Sequence, residues 1–327
     1  MQLLQSKWDQ AIQFVTDELG VHTYYIKKII PGWVKKTGFE SEDDLQHSLS
    51  QVAVCLRVPY DRLVQKLTPL VVDLTASRCK GALPEKLEEQ KSGRLMGELL
   101  ARHLVEILEF EDHPVMTTPQ EARTNILQDH ELITFEALIR LCWSLNIPVA
   151  HLASAPSHSP HAMAVNVDGR CAIVLFRNNK HQGWHLFDLA HELGHIMLGH
   201  VKPGQAVSDC GDSEIDPEEE YQANKYAFEL FTDTSMSLSM KRIVNGETLL
   251  AACKNASTVY KVDPQWLICS VCYNWPKKYH GVGGNALKLG WPEDDALGLV
   301  ETILSEKMKK LEVSRMHQAM IGSLAVR

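Results

Sequence analysis

The sequence predicts a mainly helical α+β fold with a small antiparallel sheet and a helical N-terminal region. Apolar residues recur at helical spacing in most segments, and two short β-prone runs flank Asp168-Gly169. A third pattern is a segment at 184–201 that is apolar nearly all round, which predicts a buried helix. A helix, a hairpin and a buried helix in this order are typical of helices packed on a small sheet.

Composition and charge restrict the class of protein. The 327 residues are 45% hydrophobic and 23% charged, and the net charge is -8. This charge disfavours non-specific binding to nucleic acid. The N-terminus lacks the apolar segment of a signal peptide, and no uncharged apolar run approaches the roughly 20 residues of a membrane helix. We therefore expect a cytoplasmic protein that is long enough for two or three domains.

Eight cysteines are scattered along the chain, which is too dilute for a disulfide scaffold and favours a reducing compartment. Cys269 and Cys272 form the only C-x-x-C pair. Such a pair is compatible with a redox or metal site. Both thiols lie among apolar residues at helical spacing, so we expect them to be buried core residues.

Four regions are predicted along the chain. Residues 1–66 form a helical region, 67–118 a connecting region with an amphipathic helix, 119–276 the domain with the hairpin and buried helix, and 277–327 a Gly-rich loop followed by a last helix. The run LTPLVVDL in the connecting region is apolar enough to be buried, and DHPVMTTPQ has the composition of a boundary.

Residues 1–66 resemble a degenerate helix-turn-helix of the phage-repressor type, with ELGV before the expected recognition helix and VAVCLRV after it. That recognition helix holds Thr23, Tyr24, Tyr25, Lys27 and Lys28, and acidic and basic residues balance in this region. The balance favours a module that packs or binds protein, and direct DNA binding is the alternative.

Within 119–276 the elements are predicted in order. Apolar spacing predicts one helix over 120–145, NIPVAHL a short strand, and 163–176 a hairpin around Asp168-Gly169. The following helix, WHLFDLAHELGHIMLGHV, is expected to end at Pro203-Gly204.

The motif H-E-x-x-H lies on this helix. His191 and His195 are four residues apart and therefore project from one face, where two imidazoles can bind one Zn²⁺. Glu192 follows the first histidine and can act as general base toward a water molecule. Surface histidines are the alternative, but the helix is too apolar to lie at the surface, and buried polar groups need partners.

A catalytic zinc site needs a third protein ligand. The segment EEEYQANKYAFEL predicts a helix on which Glu220 and Asn224 share a face, so Glu220 is the favoured ligand and Asn224 a supporting residue. Other residues within reach in sequence remain alternatives: Glu218, Glu219, Glu229, His200 and His185. His200 lies five residues after His195 and should turn away from the ligand face, and His185 is expected to be structural.

From about 120 to 275 the chain resembles the ImmA/IrrE family of metallopeptidases, on the blocks IPVAHL, VDGRCAIVL, FDLAHELGHIMLGH and E..ANKYAFEL. The resemblance implies a zincin-type active-site helix, zinc ligands at His191, His195 and Glu220, and a general base at Glu192. Many relatives carry a repressor-like module and cleave a partner repressor. This chain departs from the pattern in its longer N-terminal region and in YAFELFTDT, which lacks the usual proline.

Two classes of function follow. The first is a zinc endopeptidase of narrow specificity whose protein substrate is a helix-turn-helix repressor or another regulatory protein. The second is a non-catalytic zinc-containing regulator or antitoxin-like binding protein. Glu192 discriminates between them, because a structural zinc site has no need of a general base.

Overall fold

The computed structural model describes residues 2–66, 70, 76–79, 87–109, 113–208, 216–232, 245–273 and 280–325. Within these ranges the chain forms fourteen helices and one five-stranded sheet. The predicted class, mainly helical α+β, is confirmed. No helix among the described residues is long and apolar enough to cross a membrane.

Four helices form the N-terminal region: α1 (Gln2–Leu19), α2 (Thr23–Ile29), α3 (Glu42–Leu56) and α4 (Tyr60–Gln65). Gly20, at φ +60°, follows α1 and allows the chain to turn into α2. The Ser41 hydroxyl accepts a hydrogen bond from Asp44 N at the start of α3. Trp8, Ile26 and Leu45 are buried between these helices. The resemblance of this region to a repressor module stays a prediction.

Strand β1 (Ala76–Cys79) and helix α5 (Leu87–Glu106) follow. The predicted amphipathic helix is present, whereas the apolar run at 67–74 lies outside the described residues apart from Leu70, which is buried. Helix α5 packs through glycine on the sheet and on the segment that precedes β3. A Cβ at Gly97 would lie 2.4 Å from the Phe176 ring, and one at Gly93 would lie 2.2 Å from Ser159 Oγ. Only glycine permits so close an approach.

The remaining strands are β2 (Val149–His151), β3 (Ala162–Val167), β4 (Arg170–Leu175) and β5 (Gln205–Ser208), in the order β1-β5-β3-β4-β2. Strand β3 is antiparallel to β4 and β5, but β1 is parallel to β5 and β2 is parallel to β4. The sheet is therefore mixed, and the expectation of a wholly antiparallel sheet is wrong. Both parallel strands lie at an edge and come from segments outside the hairpin.

The hairpin predicted around Asp168-Gly169 is confirmed. Asp168 has φ 52° and Gly169 φ 87°, as a two-residue turn of this hand requires. Asn166 Oδ1 accepts a hydrogen bond from Gly169 N at 2.8 Å and supports the turn. All six residues of β3 are buried, because α5 packs on the sheet and α8 (Gln182–Met197) packs on β3 and β4 as well.

The helix expected over 120–145 is two helices, α6 (Pro119–Asp129) and α7 (Phe135–Ser144). A long-range contact causes the break. Ile133 N donates to Lys261 O at 2.9 Å, and Asp263 N donates to Ile133 O at 3.0 Å. Thr134 then starts α7, its hydroxyl accepting from Ala137 N.

Helix α8 ends at Met197, before the expected Pro203-Gly204, because Gly199 at φ +73° turns the chain. Three helices complete this part of the fold: α9 (Pro217–Thr232), α10 (Gly246–Tyr260) and α11 (Pro264–Tyr273). Cys269 and Cys272 on α11 are buried free thiols, as predicted.

Two expectations for the C-terminal region are wrong. The Gly-rich segment predicted as a loop contains α12 (His280–Gly290), and the last helix is two helices, α13 (Ala296–Lys310) and α14 (Arg315–Ala325). Glycine in α12 serves close packing, since a Cβ at Gly283 would lie 2.2 Å from Cys272 Sγ. Glu312, at φ 50°, separates the last two helices.

Candidate metal centre

Helix α8 places the H-E-x-x-H side chains in the protein interior. His191, Glu192 and His195 are 5%, 1% and 1% exposed. The spacing brings the two imidazoles together, with 3.1 Å between His191 Nε2 and His195 Nε2. The motif therefore forms one buried cluster, as the sequence predicts.

Helix α9 brings Glu220 to this cluster. Glu220 Oε2 lies 3.6 Å from His191 Nε2, and Glu220 Oε1 lies 3.3 Å from His195 Nε2. One ligand atom of each of the three residues lies within 4.8 Å of the others. The alternative Glu218 is exposed, and Glu229 pairs with Lys225 at 3.8 Å.

Gly194 sets the distance between the two helices. A Cβ at this position would lie 3.1 Å from both Ala223 O and Tyr226 Cβ on α9, closer than nearly all real contacts. The middle of H-E-L-G-H thus allows the carboxylate of Glu220 to approach the imidazoles. This role cannot be predicted from the sequence, because a glycine within a helix gives no sign of which neighbour approaches it.

The Nδ1 atom of His191 contacts Asn224 Oδ1 at 3.2 Å. A carbonyl oxygen accepts, so Nδ1 of His191 carries the proton and donates it. In a neutral imidazole the other nitrogen then has a lone pair, and for His191 this is Nε2, the atom that faces Glu220. The supporting role expected for Asn224 agrees with this contact.

A longer series of hydrogen bonds supports His195. Gln222 Nε2 donates to Glu218 Oε1 at 2.9 Å, which leaves Gln222 Oε1 to accept from His200 Nε2 at 3.2 Å. His200 Nδ1 then accepts from His195 Nδ1 at 3.0 Å. The lone pair of His195 is thereby on Nε2 as well. Burial lowers the pKa of His200, which agrees with a neutral ring.

The atoms that converge are therefore two imidazole lone pairs and a carboxylate. Three acceptors at such distances repel one another unless a proton or a cation lies between them. Two histidines and one glutamate are a donor set of catalytic zinc sites, which keep a further position for water or substrate. The residues present fit a zinc ion.

His185, the other alternative ligand, does not join the cluster. It is fully buried, and its Nε2 contacts Asn179 O at 2.7 Å. Its ring packs against Phe135 and His151, with centroids at 5.5 Å and 6.4 Å. Burial lowers the pKa of His185. These contacts indicate a structural histidine at the start of α8.

Arg177 and Asp188 hold the start of α8 against the sheet. Arg177 follows β4, and its Nε donates to Asp188 Oδ2 at 2.6 Å. The guanidinium also lies 5.5 Å from the Trp184 ring centroid. The sequence does not predict this pair, since nothing in the local pattern brings position 177 beside position 188.

Two histidines of an H-E-x-x-H helix and a glutamate are a ligand set found in zinc metallopeptidases. In agreement, residues 145–262 match the model of the Peptidase_M78 family, described as the IrrE N-terminal-like domain. This match confirms the resemblance to the ImmA/IrrE family over a segment that includes both α8 and α9. No curated protein and no solved structure matches the chain.

The matched segment is shorter than the stretch from 120 to 275 over which the resemblance was expected. It begins after α7 and ends at Val262, just before α11. The family match therefore covers the sheet strands β2 to β5 and the candidate metal centre, and the N-terminal and C-terminal helical regions lie outside it.

Proposed function

We propose that the protein is a zinc-dependent endopeptidase in which His191, His195 and Glu220 bind the metal and Glu192 is the general base. The observation that carries this proposal is the convergence of two imidazole lone pairs and one carboxylate in a buried cluster. The match of residues 145–262 to a metallopeptidase family supports it.

The chemistry divides between the metal and the chain. A bound Zn²⁺ supplies Lewis acidity, which polarises a peptide carbonyl and lowers the pKa of water at the site. Glu192, next to His191 on α8, accepts the proton of the attacking water and passes it to the leaving amine. Asn224 and His200 keep both imidazoles in the tautomer that presents Nε2.

The proposed substrate is a regulatory protein, in particular a helix-turn-helix repressor. The centre is buried, with His191 and Glu220 at 5% and 9% exposure, so an extended segment of a partner reaches it more readily than a folded surface does. The α1–α4 region carries exposed aromatic side chains, among them Tyr24 and Trp33, that are suited to protein contact.

Glu192→Gln tests the mechanism. The variant should keep the zinc content of wild type and lose proteolysis by several orders of magnitude, because the amide cannot accept a proton. Zinc is measured by elemental analysis, and cleavage by comparing the proteomes of cells that carry either form. The same comparison identifies the substrate, which should accumulate with the variant.

The control is Glu229→Gln, which changes a carboxylate of α9 that pairs with Lys225 outside the cluster. It should keep both zinc and proteolysis. If cells with Glu192→Gln have the same proteome as cells with wild type, the protein acts as a non-catalytic zinc-containing regulator and not as a peptidase.

A further inference from the structure

A second group of metal-binding side chains lies outside the α8–α9 centre. His103 and Glu106 project from the end of α5, and His317 projects from α14. The ligand atoms of these three residues also lie within 4.8 Å of one another. The family match starts at residue 145 and ends at 262, so this cluster lies wholly outside it.

Glu106 Oε2 lies at the centre of the cluster. It is 3.4 Å from His103 Nδ1 and 3.7 Å from His317 Nε2. The two imidazole rings are 6.0 Å apart between centroids and are tilted by 50°. Both rings thus approach the same carboxylate oxygen from different helices.

His103 is the least solvated of the three residues. It is 4% exposed, and neither of its ring nitrogens makes a hydrogen bond to another residue that the structure describes. The contact of Nδ1 with Glu106 Oε2 at 3.4 Å lacks hydrogen-bond geometry. A buried imidazole without hydrogen bonds is destabilising, and a metal ion would satisfy it.

Arg57, just after α3, determines which oxygen of Glu106 is available. Its guanidinium donates to Glu106 Oε1, which orients the carboxylate and leaves Oε2 toward the histidines. The positive charge of Arg57 is compensated by the carboxylate that it contacts. Ligating carboxylates are commonly held by a hydrogen bond of this kind.

We propose that His103, Glu106 and His317 form a second metal site that takes a divalent transition metal of the zinc class. Two imidazoles and one carboxylate suit this class better than Ca²⁺ or Mg²⁺, which prefer oxygen ligands. The His317 side chain is 21% exposed, so water can reach the remaining coordination position. The metal joins α5 to α14 and, through Arg57, to the end of α3.

The test uses the full chain with the α8–α9 centre removed by His191→Ala and His195→Ala. After dialysis against micromolar Zn²⁺ this variant should retain about one zinc ion per chain, whereas the wild type retains about two. Adding His317→Gln should abolish the remaining ion, and the Zn²⁺-induced rise in melting temperature should disappear with it. His130→Gln, on an exposed histidine after α6, is the matched control and should change neither result.

The two proposals fail in different ways. If the His191→Ala/His195→Ala protein is folded by circular dichroism and retains no zinc, the second site is refuted. The second site is also refuted if the double variant still retains zinc after His317→Gln is added. If wild type retains a single ion that only His317→Gln removes, the second site stands and the α8–α9 proposal fails. Should the double variant not fold, Glu220→Gln replaces it as the background.

Discussion

At the scale of single residues, hydrogen bonds to Nδ1 of His191 and His195 determine that the lone pair of each ring is on Nε2, the atom that faces the cluster. His191 and His195 could be predicted from sequence, because a helix fixes the geometry of residues four apart. The role of His200 could not. Gly199, at φ +73°, turns the chain after α8 and returns His200 to His195, which a count of helical positions does not capture.

Glu220 gives the first prediction at this scale. Glu220→Ala removes the proposed third zinc ligand, so zinc occupancy of the α8–α9 centre and the melting temperature should both fall, since metal binding favours the folded state. Occupancy is measured by elemental analysis in a His317→Gln background, which excludes the second cluster. Glu229→Ala on the same helix should leave the zinc occupancy and melting temperature of the His317→Gln protein unchanged. If Glu229→Ala loses zinc and Glu220→Ala does not, the ligand is Glu229.

Asp263 gives a prediction on pH. Burial, with a further contribution from Asp294, raises the pKa of this carboxyl to about 6, while its Oδ1 accepts from Gln265 N at 2.8 Å. The folded state then binds its proton more tightly than the unfolded state, so stability falls as pH rises from about 4 through 6. Asp263→Asn keeps an acceptor at the start of α11 without the charge.

The variant should therefore be more stable than wild type at pH 8, by roughly 1–3 kcal/mol at about 1.4 kcal/mol per pKa unit. The difference should vanish well below pH 4, where Asp263 is protonated in both the folded and the unfolded state and is as neutral as asparagine. Urea unfolding at several pH values measures it. If Asp263→Asn is more stable than wild type by the same amount at every pH, the charge of Asp263 is not the cause of the difference.

At the scale of elements, local patterns predicted those parts of the fold that local chemistry determines. The hairpin was correct because Asp168-Gly169 specifies its own turn. The single helix over 120–145 was wrong because Ile133 pairs with Val262, a contact that no local pattern shows. Strand β2 lies within NIPVAHL, where a short strand is predicted, whereas β1 has no such local pattern, since only its partner makes it a strand.

Glycines that permit helix packing give a prediction on stability. A Cβ at Gly183 of α8 would lie 2.6 Å from both the backbone C and O of Gln265 on α11. Backbone atoms cannot move aside cheaply, so Gly183→Ala should destabilise the protein by about 1–3 kcal/mol. Urea denaturation measures the change.

Gly284 of α12 is the matched control, because a Cβ there meets nothing within 4 Å. Gly284→Ala should stabilise the protein by about 0.5–1 kcal/mol, as alanine does at an open helical position. A loss of stability at Gly284 would instead favour the loop that composition suggests for this segment.

At the scale of the whole molecule, the boundary expected at residue 118 separates elements that contact one another. Strand β1 pairs with β5, and α5 packs on β3 and β4, with Gly97 against Met163 and Phe176. The domain limits stay a prediction. These contacts nevertheless indicate that the sheet depends on residues before 118, which the sequence could not reveal because β1 and β5 are far apart along the chain.

A fragment covering 119–327 should therefore be much less stable than the full chain. It lacks β1 and α5, so it exposes an edge of β5 and the face of the sheet that α5 covers. We expect aggregation or a melting temperature lower by roughly 10 °C, measured by calorimetry and light scattering. A fragment as stable as the full chain would show that β1 and α5 contribute little to the sheet.

The pairing of β1 with β5 also has a consequence for biosynthesis. Ala76 leaves the ribosome about 130 residues before its partner Gln205. At roughly 5–20 residues per second, β1 waits on the order of 10 s for the strand that it pairs with. During this interval the nascent chain can fold α1–α4, but the segment that matches the family model, 145–262, has not been fully translated. The protein thus completes its sheet only after α8, with both histidines, has been translated.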